Sequence, residues 1–93
     1  MQKLLAIFCF SDGSTIESNP ALCSEIETLQ HGILLSERVI LFLSDQTTTD
    51  HRASFLRHLQ PNDELLVFRV ERGAWKLSAK KEAWLRNFLS IDQ

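Results

Sequence analysis

The stretch Gln60-Pro61-Asn62-Asp63-Glu64-Leu65-Leu66-Val67-Phe68-Arg69-Val70 carries the reading of the fold. A Pro-Asn-Asp turn runs into a strand that is apolar on both faces. Leu66, Phe68 and Val70 fall on one side, and Leu65 and Val67 on the other, where Arg69 is the only polar residue. A strand covered on one side alternates between apolar and polar side chains; a run like this one marks burial on both. The question is what covers the second face.

The same pattern recurs upstream. In Leu4–Phe10, Leu4, Ala6, Phe8 and Phe10 oppose Leu5, Ile7 and Cys9. In Val39–Leu43, Val39, Leu41 and Leu43 oppose Ile40 and Phe42. Asn19-Pro20 supplies an N-cap and a first-turn proline for a helix over 20–31, with Gly32 as a left-handed stop and His31 in a capping position at its end. Ser36-Glu37-Arg38 divides Ile33–Leu35 from Val39–Leu43, as a hairpin or as one long bent strand. Thr47 and Asp50 imitate a capping box at the start of a second helix, which Pro61 and Asn62 end. A third helix spans 80–89, with Trp84, Leu85, Phe88 and Leu89 on one side.

The element order is β-α-β-β-α-β and then a helix. The expected fold is therefore α+β and ferredoxin-like, with an additional C-terminal helix, in a single domain over 1–93. Right-handed crossovers place both main helices on one face of the sheet. Two covers remain for the other face: the C-terminal helix folding back, or a second copy of the chain packed sheet to sheet. The expectation here is a homodimer. Leu65, Val67, Trp84 and Phe88 are the candidate residues of that dimer or tail packing.

Composition narrows the class without naming a reaction. Apolar residues make up 44% of the 93 and charged ones 24%, the balance of an ordinary globular domain. A formal charge of -2 creates no global field for nucleic acid. No apolar run approaches a membrane span, and Leu4–Phe10 leads into Ser11-Asp12-Gly13-Ser14 rather than a signal-cleavage site, so a cytoplasmic protein is expected. Cys9 and Cys23, the only cysteines, read as two buried thiols.

Residues 38–89 carry a family resemblance. The match lies in Asn62–Val67, then Ala74-Trp75, then Trp84-Leu85, preceded by Arg38–Asp50. This pattern resembles small ferredoxin-like proteins related to the CRISPR adaptation small subunit, including its SinR-like group. The resemblance implies a homodimer, in a family that holds metal-dependent nucleases, toxin–antitoxin components and members that bind nucleic acid without cutting it. In the nucleases an Asp ends the first strand, and two copies of it hold a divalent ion across the dimer. Here Ser11 stands at that position and Asp12 comes one residue later.

Two readings of function follow. The first is a non-catalytic, homodimeric interaction module of CRISPR-related, toxin–antitoxin or phage-defence type, binding a protein or nucleic-acid partner. The alternative is an endoribonuclease in which Asp12 of each subunit binds Mg or Mn at the dimer axis, as catalytic and metal ligand together. Against the second, Asp12-Gly13 is ordinary turn chemistry. Arg69, Arg72, Trp75 and Lys76 are the candidate nucleic-acid-binding residues, combining charge with a stacking surface. His51 and His58 lie seven apart, wider than zinc ligands on one helix, and read as surface histidines.

Overall fold

The computed structural model describes residues 1–91. Its strands are β1 (Gln2–Cys9), β2 (Gln30–Ser36), β3 (Val39–Ser44) and β4 (Glu64–Arg69); its helices are α1 (Pro20–Glu27), α2 (Thr48–Leu56) and α3 (Ala79–Leu89), with a short 3-10 turn at Ile16–Ser18. The four strands form one sheet in the order β2-β3-β1-β4. Every neighbouring pair is antiparallel. This mixed α+β arrangement is compatible with the ferredoxin-like order expected from the sequence.

Local chemistry explains most boundaries. The Asn19 side chain accepts the Leu22 N–H at 3.2 Å and so caps α1. Thr47 and Asp50 form the reciprocal capping box of α2. α1 is shorter than its apolar spacing predicts: it closes at Thr28, whose hydroxyl donates to the Glu25 carbonyl at 2.6 Å, and the chain joins β3 from Gln30 onward. His31, not Gly32, takes the left-handed backbone, with φ 51°. His31 therefore lies in a bulged stretch of β2 and does not cap α1. The hairpin reading of residues 33–43 is the one observed.

Two apolar clusters lie on the two faces of the sheet. Leu4, Ala6, Phe8, Ile40 and Phe42 meet Leu22 of α1 and Phe55 of α2, and Leu65 and Val67 of β4 pack against this cluster. On the other face Leu41 and Leu43 meet Leu85 and Phe88 of α3, joined by Leu5, Ile33, Leu35, Trp84 and Leu89. The single chain thus supplies one of the two expected covers. Lys3 Nζ donates to the Leu89 carbonyl at 2.8 Å and Lys81 Nζ to the Leu35 carbonyl at 2.7 Å, which ties α3 to the sheet near both of its ends. Lys3 also sets a cation against the negative C-terminal end of the helix.

The cover is incomplete. α3 packs over β3, β2 and part of β1, but Leu66 and Phe68 on the same face of β4 stay 41% and 50% exposed. Cys9, on that face at the end of β1, is also exposed, while Cys23 is half-buried with its thiol 3.1 Å from the Ile16 carbonyl. The expectation of two buried thiols holds for neither cysteine in full. Cys9 pairs with Glu64 beyond the part of the sheet that α3 covers.

Candidate functional site

The loop after β1 forms a built turn. Asp12 Oδ1 accepts the Ser14 N–H at 2.9 Å, and Gly13 takes φ 76°, a conformation that favours glycine. Arg38, from the hairpin between β2 and β3, donates to the Ser14 carbonyl at 3.1 Å and to the Gly13 carbonyl at 2.9 Å. Ser11 gives both its N–H and its hydroxyl to Asp63 Oδ1, at 2.8 and 3.0 Å, while Asp63 Oδ2 accepts the Gln60 N–H at 2.8 Å. The polar end of β1 is thereby stitched to the turn before β4. Hydrogen bonds from Ser14 hold the Asp12 carboxyl below its usual range, and those from the Ser11 and Gln60 backbone do the same for Asp63.

These groups border a cavity of about 260 Å³ whose lining includes Phe10, Asp12, Asn19, His58 and Asp63. His58 Nε2 lies 2.7 Å from Glu25 Oε1, and Ser54 donates its hydroxyl to Glu25 Oε2 at 2.7 Å. Asn19, besides capping α1, donates its amide to the His58 carbonyl at 2.9 Å. Glu25, half-buried between the helices, therefore ties α1 to α2, and the cavity sits at the end of that seam. Sequence spacing placed Asn19 as a cap but carried no sign of the long-range partner, because the pair is separated by 39 residues.

His51 of α2 and His58, in the turn just past its end, serve different networks. His51 is buried, 4% exposed, against the expectation of a surface residue. Its Nε2 is hydrogen-bonded to the Ser44 hydroxyl, and its ring packs on Phe42 and Phe55. The Gln46 N–H donates to the same hydroxyl oxygen at 2.9 Å, so Ser44 links the imidazole to the loop before α2. Burial lowers the His51 pKa, opposed by the charges of Glu25 and Asp50. The arrangement pins α2 onto the end of β3.

Asp12 does not fit a divalent-ion site within one chain. It is a single exposed carboxylate, and one of its oxygens is already committed to the turn. Among the described residues no three His, Cys, Asp or Glu side chains gather in a way that could hold a metal ion.

The remaining candidates fall in two places. Leu65 and Val67 lie on the helix-covered face and Trp84 and Phe88 on the other, so these four do not form one packing surface within the chain. Arg69 ends β4, its Nε 3.8 Å from Glu71 Oε1. Arg72, Trp75 and Lys76 follow in the exposed segment between β4 and α3, which has no regular structure. Among the described residues no helix is long and apolar enough to cross a membrane. No protein-family model, curated protein or solved structure matches the chain.

Proposed function

We propose that this chain is a small interaction module with ferredoxin-like topology, acting as a homodimer and binding a protein or nucleic-acid partner rather than cutting RNA. The observation that carries the reading is the bare apolar strip on β4. Leu66 and Phe68 stand about half exposed side by side on an edge strand, while α3 buries Leu41 and Leu43 in the middle of that face. Large apolar side chains grouped on an uncovered edge are a common mark of association surfaces. The setting in phage defence rests on the sequence resemblance alone.

The nuclease alternative is tested directly. RNA incubated with the wild-type chain, with and without Mg or Mn, should remain intact. Metal-dependent cleavage that disappears in Asp12→Ala would overturn the non-catalytic reading. The class of partner is read separately. If nucleic acid is the partner, the double variant Arg69→Ala/Arg72→Ala weakens binding and shallows its salt dependence, by about one counterion for each arginine removed. Binding that is unchanged in the double variant removes the proposed basic surface.

A further inference from the structure

We infer that the free edge of β4 pairs with the β4 edge of a second copy, antiparallel about Val67, joining two sheets into one of eight strands. The inference rests on the homodimeric reading above and specifies its geometry. Packing of two copies sheet to sheet is obstructed on the second face, because α3 already lies there. The helix-covered face is filled by α1 and α2. What remains of the sheet is its two edges, β2 and β4.

The two edges differ in kind. β2 is broken by two register shifts against β3, and His31 within it adopts a left-handed backbone. Such irregularities blunt an edge against further pairing. β4 pairs with β1 without a shift from Glu64 to Arg69, and contains neither proline nor glycine. It carries none of the bulges or prolines that protect an exposed edge.

The register shows which groups the free edge presents. The Val70 N–H donates to the Lys3 carbonyl at 2.8 Å, which makes Val70 and Lys3 a hydrogen-bonded pair. Alternation then directs the peptide groups of Phe68, Leu66 and Glu64 toward β1, and those of Leu65, Val67 and Arg69 outward. These three outward positions are symmetric about Val67. A two-fold axis at Val67, normal to the sheet, sets Leu65 opposite Arg69 of the second copy and Val67 opposite its own equivalent, exchanging about six backbone hydrogen bonds.

The side chains agree with that axis. It places Leu66 opposite Phe68 of the second copy and Phe68 opposite Leu66, so the two half-exposed apolar residues of each chain cover those of the other. Charge at the strand ends is mixed. At this axis Glu64 lies diagonal to Arg72 of the second copy and Asp63 diagonal to its Arg69, while Asp63 also falls opposite its Glu71, a like-charge pair that offsets part of that gain.

Cross-linking tests the geometry. Positions 66 and 68 would form a non-hydrogen-bonded pair, with Cα atoms about 4.5 Å apart, within disulfide reach. Equivalent positions, 66 with 66 or 68 with 68, would be diagonal and separated by about 7–8 Å, beyond it. In a Cys9→Ser background, a mixture of Leu66→Cys and Phe68→Cys chains should form a disulfide-linked pair under mild oxidation, and either variant alone should not. Solution mass across a dilution series should show a dimer for wild type and half that mass for Phe68→Glu, with an unchanged circular dichroism spectrum. A wild-type dimer without the 66–68 cross-link, or with equal linking in the single variants, would overturn the edge geometry and leave the homodimer standing. A dimer that persists in Phe68→Glu would also overturn the edge geometry. A monomer at every concentration would overturn both.

Discussion

At the scale of single residues, His51 shows how burial controls a titration. The folded chain packs this imidazole between Phe42, Phe55 and the Ser44 hydroxyl, where burial lowers its pKa against the opposing charges of Glu25 and Asp50. Its folded pKa lies below that of the unfolded chain, so the unfolded state takes up a proton first as pH falls. Stability is therefore complete above the ordinary histidine range and decreases as pH drops through it. The urea midpoint of wild type should fall between about pH 7.5 and about pH 5.5, and that of His51→Gln should fall less over the same interval. Equal pH dependence in the two proteins would show that His51 is not the group responsible. Asn19 offers a second residue-scale case. It caps α1 and also bonds the His58 carbonyl, so Asn19→Ala should cost about 2 kcal/mol in urea unfolding, more than a cap alone.

At the scale of elements, α3 decides whether the second face of the sheet is dry. Leu85 and Phe88 are buried against Leu41 and Leu43, and Trp84 stacks on Phe88 with ring centroids 4.9 Å apart. Phe88→Ala should destabilise the fold by about 3–4 kcal/mol. Because the damage is confined to one layer, an apolar dye should bind the variant more strongly before global unfolding, as α3 lifts from the sheet. Unchanged dye binding together with unchanged stability would mean that α3 contributes little to this face. The cap of α2 and the capped start of α1 were legible in Thr47, Asp50 and Asn19-Pro20, because such signals lie within four residues of the boundary they set. The early end of α1 was not, since the pairing of Gln30 with Leu43 determines it from across the sheet.

At the scale of the whole molecule, the layers are α1 and α2, the sheet, and α3 on part of the far side. The far side is apolar over β1, β3 and β4, but one eleven-residue helix is too narrow to reach all of it. The strip left at Leu66 and Phe68 sits at the edge where another strand can be added. Monomer closure by the tail and association through the edge are thus compatible. The tail covers the centre of the face, and the exposed margin belongs to β4.

Three two-faced apolar strands, the short Ile33–Leu35 run and three helical runs, two of them with legible caps, were sufficient to determine the element order, and with it the mixed α+β architecture. They also showed that both sheet faces are apolar, because that property depends only on the two-residue period of a strand. The site was less legible. Asp12 read correctly as a turn residue, but its neighbours Asp63, Asn19 and His58 come from loops and helices far apart in the chain. Which of Leu65–Val70 face the tail, which histidine is buried and how far α3 reaches were decided by tertiary structure alone. Each depends on distances between elements, and those follow from how the layers pack rather than from any local run of residues.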